Sequence, residues 1–162
     1  MKKILLLILI FIIFLFSCHR EYGILSYQQN DVEAICTVNE KYTVKIVKSD
    51  DLKRMEVLFP DTLEGVFFEM QGENIYVIKE ETKIPMSRDS LKGICALLNC
   101  FSLKEDFIIN LSEEGVASFD TENGIYTVTY GKNSLPQHIK ISGDNYEYSV
   151  LIDTVKIKQR NT

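Results

Sequence analysis

The chain has 162 residues, 46% of them hydrophobic and 25% charged, with 18 basic against 23 acidic side chains and no tryptophan. That length is enough for one domain with a real core. The acidic balance argues against nucleic acid, which needs a basic patch, and against electrostatic docking on anionic lipid.

In chain order, Met1-Lys2-Lys3 supplies a positive start, and Ile4 to Phe16 is an unbroken run of Ile, Leu and Phe. A basic head followed by an apolar segment predicts a secretion signal. As a helix the run of thirteen residues covers about 20 Å, short of the roughly 30 Å hydrocarbon layer, so a stable spanning helix is disfavoured. The ending Leu15-Phe16-Ser17-Cys18 resembles a lipobox, the site where bacterial lipoproteins are acylated on cysteine and cut just before it. Leu15 takes the branched apolar place, Ser17 the small place before the cut and Cys18 that of the lipidated thiol, while Phe16 departs from the usual small residue. The resemblance implies a lipoprotein signal peptide over residues 1–17 and a diacylglyceryl anchor on Cys18. The protein would then be held by palmitate-type chains on the extracytoplasmic face of the cell membrane. The mature part keeps 145 residues with a net charge near −7, so attachment would rest on the lipid chains.

Residues 18–30 are polar and mixed, ending in Gln28-Gln29-Asn30, and are expected to form a tether to a folded domain spanning 31–160. With Cys18 taken by lipid, Cys36, Cys95 and Cys100 remain. Their odd number, the absence of a CxxC pair and the lack of a nearby histidine argue against a disulfide framework or a zinc site. Buried free thiols are expected, and neither a metal nor a cofactor.

Alternation begins at Asp31, with Val32, Ala34, Cys36 and Val38 on one side, and resumes at Tyr42, Val44 and Ile46, so the pair predicts a hairpin across Asn39-Glu40. Met55, Val57 and Phe59 mark a third strand. Pro60 to Gly65 can hold only a loop or a single helical turn. Val66 to Met70, Ile75 to Lys79 and a Pro-limited Lys83 to Met86 are further strands. The period then changes: Leu91, Ile94, Cys95 and Leu98 form one stripe of an amphipathic helix of about thirteen residues, capped by Ser87 or Asp89 and ending by Phe101-Ser102. Gly93 inside it costs about 1 kcal/mol relative to Ala, which close packing against a sheet would explain.

Strands return at Phe107 to Leu111, Val116 to Phe119, Ile125 to Tyr130, Ile139 to Ser142 and Tyr146 to Ile152. Asn123-Gly124 is the strongest hairpin signal in the chain. Val155 and Ile157, alternating with Lys156 and Lys158, predict a separate last strand at a sheet edge. Turns every ~8–12 residues imply a mainly β fold (α+β): one curved antiparallel sheet or incomplete barrel of about nine to eleven strands packed on a central helix.

Sequential strands, a helix near the middle and more strands behind a lipobox resemble the LolA/LolB-like lipoprotein-carrier superfamily. The segments Val32-Glu33-Ala34, Met55 to Pro60 and Leu63 to Glu69 look like small lipoproteins of this type in Gram-positive anaerobes. The resemblance implies a half-barrel with an apolar inner surface.

His138 follows Pro136-Gln137 at a strand start with no nucleophile-elbow sequence, and Asp50-Asp51, Glu80-Glu81 and Glu113-Glu114 fall at turns or strand ends, where acids are usually solvated. No active site is expected, and the protein is read as a non-enzyme. Large apolar side chains concentrate on the middle strands. Val57, Phe59, Phe68, Met70, Ile75 and Val77, with the helix face of Leu91, Ile94 and Leu98, are either core or the lining of a hydrophobic site. Two functions are open on this basis: binding a lipid or other hydrophobic ligand in the concave face, or acting as an adaptor lipoprotein for an extracytoplasmic protein partner in envelope or spore-wall processes.

Overall fold

The structure is a computed structural model; it describes Tyr27 and residues 30–50, 52–112 and 115–158. The expected signal segment and Cys18 lie outside the described residues. Six strands come first: β1 (Asp31–Val38), β2 (Tyr42–Ser49), β3 (Leu52–Phe59), β4 (Val66–Gln71), β5 (Asn74–Lys79) and β6 (Thr82–Met86). The helix α1 (Lys92–Asn99) follows. Five more strands complete the domain: β7 (Ile108–Leu111), β8 (Val116–Thr121), β9 (Gly124–Tyr130), β10 (Pro136–Gly143) and β11 (Tyr146–Lys158).

All eleven join one sheet in the order β6-β5-β4-β3-β2-β1-β11-β10-β9-β8-β7. Every neighbouring pair is antiparallel. The first and last strands therefore meet in the middle, and the sheet ends at β6 and β7 without closing into a barrel. The chain travels between those two ends by way of α1, which crosses the inner face.

The sheet must curl to make its contacts. Strands lie about 4.8 Å apart, so β3 and β9, five places apart, would be roughly 24 Å distant in a flat sheet. Yet Lys53 of β3 donates a hydrogen bond to the Asn99 side chain, and Tyr126 of β9 donates one to the Ala96 carbonyl at 3.0 Å. A helix of about 10–12 Å diameter is reached from both sides only if the sheet folds around it.

Most of the expected strands are present. Val32, Ala34, Cys36 and Val38 are buried on β1, and Asn39 and Glu40 turn the chain with positive φ. At the β8–β9 turn Gly124 has φ +102°, and a Cβ there would sit 2.5 Å from the Ser142 carbonyl oxygen, so only glycine fits.

Two expectations are corrected. Val155 and Ile157 do not form a separate edge strand; they continue β11, which pairs with β1 at the centre of the sheet. The register shifts where Ile35 opposes Thr154 and Cys36 opposes Ile152, leaving Asp153 as the extra residue of a bulge. That residue switches the alternation from even to odd numbers, which imitates a strand break. The lysines are matched rather than edge-protecting: Lys156 opposes Glu33 and Lys158 opposes Asp31. The helix is also shorter than expected. Ser87 Oγ accepts from the Ser90 amide at 3.2 Å, and the turn it caps, Asp89–Leu91, is 3₁₀, so the α-helix has eight residues.

Tyr27, within the stretch read as tether, is 1% exposed and meets Phe101 edge to face with ring centroids 6.4 Å apart.

Candidate functional site

The nine residues singled out for a hydrophobic site come apart in the structure. Val57, Met70, Ile75 and Leu98 are buried. Phe68, Leu91 and Ile94 are partly buried against the core. Val77 is half-buried, and Phe59 is 52% exposed. The helix fills the centre of the concave face with Cys95, Ala96, Leu97 and Leu98, and Cys100, Phe101 and Leu103 continue the filling beyond it. In the centre these residues are therefore core.

Towards β6 the filling runs out. Opposed residues of an antiparallel pair share a face, and Met55, Phe68, Val77 and Ile84 oppose one another in series across β3, β4, β5 and β6. Met55 is buried, Phe68 and Val77 are half-buried and Ile84 is 51% exposed. A parallel row, Met70, Ile75 and Met86, follows the same gradient from buried to exposed. The inner face thus has a covered centre and an apolar margin that α1 does not reach.

Lys53 and Tyr126 pin the helix from two strands, and within the helix Asn99 Nδ2 donates to the Cys95 carbonyl at 2.9 Å. Burial, and then the Arg88 charge, hold the Lys53 ammonium below the ordinary lysine range. The free thiols behave as apolar groups. Burial pushes Cys36 up to about 12 and Cys100 well above its ordinary value, and it raises Cys95, so none is a ready thiolate.

A second concavity lies where α1 starts beside the β8–β9 and β10–β11 turns. It measures about 730 Å³ and includes Tyr146 and Tyr148, whose rings stack with centroids 5.6 Å apart. Tyr146 Oη donates to the Asn123 carbonyl at 2.6 Å. Gly93 is explained here: a Cβ at that position would collide with the Tyr148 hydroxyl. A smaller cavity of about 260 Å³ adjoins it at Glu122 and Tyr146, and another of about 430 Å³ lies on the other side of the β8–β9 turn, at Lys53 and Phe107. None of the nine predicted residues lines these three spaces. The paired aromatics at 146 and 148 and the helical glycine, expected to pack closely against a sheet and found against Tyr148, were the visible signals of this cleft. What the sequence did not reveal was that α1 brings them together.

His138 Nε2 lies 2.8 Å from Ser149 Oγ on neighbouring strands. Neither lines the cavities above, and the Asn39 side chain accepts from the Ser149 amide at 2.7 Å. A relay needs a carboxylate behind the histidine and donors for an oxyanion, and no contact of that kind accompanies this pair among the described residues. Among the described residues, no group of three or more His, Cys, Asp or Glu side chains could hold a metal ion.

No protein-family model matches the chain, and no curated protein matches it. The solved structures similar in shape include two at low sequence identity. One is an uncharacterized conserved protein from Thermus thermophilus, 12% identical with a TM-score of 0.48, covering 86% of this chain and 85% of its own. Another is a LolA superfamily protein from Nitrosomonas europaea, 11% identical with a TM-score of 0.42, covering 89% of this chain and 96% of its own.

Proposed function

We propose that the protein is a membrane-tethered, extracytoplasmic binding module of the LolA/LolB-like kind, anchored through a diacylglyceryl group on Cys18. On this reading it takes up an acyl chain or similar hydrophobic molecule along the uncovered margin of its inner face and works by binding rather than catalysis. One observation carries the reading: the apolar row Met55, Phe68, Val77 and Ile84 is continuous, yet it loses its cover step by step until Ile84 is 51% exposed. Contiguous apolar surface left open on a concave face is a place for an apolar partner, since covering it gains about 25 cal/mol per Å². The helix beside it is only eight residues long and would be marginal in isolation, so its position depends on packing. A small displacement would lengthen the margin into a groove. The test is uptake of a fluorescent fatty acid by a form starting at His19. Saturable binding that falls about tenfold in Val77→Ser and Ile84→Ser, with little change in Tm, is expected; no uptake by the parent protein contradicts the reading. The anchor is checked separately, by fatty-acid labelling in a bacterial host that disappears in Cys18→Ala.

A second reading, an adaptor for an extracytoplasmic protein, is favoured by the other sheet edge. On β7 the side chains of Ile109 and Leu111 are exposed, and an end strand of this kind can accept a partner strand. A stoichiometric protein recovered in mild detergent, lost in Ile109→Lys, would support it.

A further inference from the structure

The cleft beside the start of α1 takes no part in the apolar site proposed above. Its volume of about 730 Å³ falls in the range of roughly 300–1,000 Å³ that holds small ligands. One wall is aromatic. The Tyr146 and Tyr148 rings lie 28° apart in plane, and each is seated against a glycine: a Cβ at Gly143 would strike the Tyr146 ring, and one at Gly93 the Tyr148 hydroxyl. Burial raises the pKa of both phenols, so both rings stay neutral.

The rest of the lining has one prevailing charge. Asp89, Asp120, Glu122 and Asp144 contribute carboxylates, and Lys92 is the single cation among the lining residues. Lys92 already lies 3.6 Å from Asp89, and Arg88, from the adjoining cavity, lies 3.7 Å from Glu122 but closer, at 2.9 Å, to Glu73. No lysine or arginine among the described residues forms an ion pair with Asp120 or Asp144, and both line the same cavity as the two rings.

From this geometry we infer that the cleft binds an organic ammonium ion. Aromatic faces attract a cation through their quadrupole, and carboxylates around the same volume complete the charge balance; an anion would meet repulsion there. Ser90, Thr121, Ser142 and Asn145 add hydroxyl and amide partners to the lining. A protonated amino sugar would use these, whereas a linear polyamine would use the charges and rings alone.

The test is a titration of the isotope-labelled full-length chain in mild detergent at low salt, followed by amide chemical shifts. The probes are a glucosamine tetramer, spermidine and the neutral N-acetylated tetramer. At least one cationic probe is expected to shift the amides of the β8–β9 and β10–β11 turns saturably, with a Kd at or below about 1 mM, and the neutral tetramer should bind about tenfold more weakly. Tighter binding of the glucosamine tetramer would identify an amino-sugar ligand and tighter binding of spermidine a polyamine; both support the ammonium site. The exposed triple variant Asp120→Asn, Glu122→Gln and Asp144→Asn should weaken binding fivefold or more, and Tyr148→Leu two- to fivefold. The proposal is overturned if neither cation gives a saturable shift up to about 10 mM, if the neutral tetramer binds as well, or if the folded triple variant binds as tightly as the parent.

Discussion

The two flanks of the inner face carry the same alternating apolar pattern and end in different environments. On β8, β9 and β10 the residues Ala117, Phe119, Tyr126, Val128, Ile139 and Ile141 are completely buried. On β4, β5 and β6 the equivalent positions open from Phe68 through Val77 to Ile84. The difference does not lie in the residue types. It lies in where the chain crosses the sheet, because α1 and the segment through Leu103 cover one flank and the centre and leave the other flank's margin bare. Alternation decides which side chains face inward; the crossing decides which of these are core and which are surface.

A polar substitution on each flank should separate the two most strongly. Leu98→Ser, at a residue with no exposure, is expected to cost about 3–5 kcal/mol, whereas Val77→Ser should cost about 1 kcal/mol and reduce ligand uptake instead. Chemical denaturation of the two variants measures both, and equal losses would show that the flanks are alike.

The next effect is alkaline. An unfolded thiol titrates near 8.5, while Cys36 in the covered centre titrates near 12. Between those values the unfolded chain releases a proton that the folded chain holds, so stability falls as pH rises, by up to about 1.4 kcal/mol per pH unit from this thiol. It is fully present below pH 8.5. Cys36→Ala should be less stable at neutral pH yet show a shallower decline between pH 9 and 11, and an unchanged slope would mean that the centre is wet.

Gly93 sharpens the picture at the cleft. Alanine is favoured over glycine by about 1 kcal/mol in a helix interior and by less at Gly93, the second residue of α1, and its Cβ would meet Tyr148. Gly93→Ala is therefore expected to melt no higher than the parent, and a gain below about 1 kcal/mol should emerge only together with Tyr148→Leu. The smallest effect belongs to the central seam. Lys156→Glu places like charges opposite at Glu33, and at this exposed site the loss should stay below about 1 kcal/mol.

Much of the fold was legible because antiparallel strands with one inward face write a period of two, and because Asn123-Gly124 has few other uses. The last strand was misread for the same reason: the bulge at Asp153 changes the parity of inward residues, and a change of parity looks like a break. The helix was read too long because the stripe of Leu91, Ile94 and Leu98 is the same whether its first turn is 3₁₀ or α. The candidate site was half legible. Phe68 and Val77 stood out by size and position, but Ile84, which ends the open row, looked like part of a minor Pro-limited strand. Met70, Ile75 and Leu98 have the same sequence character as a cavity lining, and only the packing of the crossing helix, which carries Leu98, against the covered part of the sheet makes them core. The cleft itself was not legible, since Gly93 is far in the chain from the pair Tyr146 and Tyr148 and only the fold brings them together.

The uncovered apolar margin is tested most directly by an amide-shift titration of the folded domain with a medium-chain fatty acid. Saturable shifts concentrated in β4, β5, β6 and α1 are expected, with β8, β9 and β10 nearly unmoved. No saturable shift, or shifts confined to β8, β9 and β10, would contradict binding at that margin.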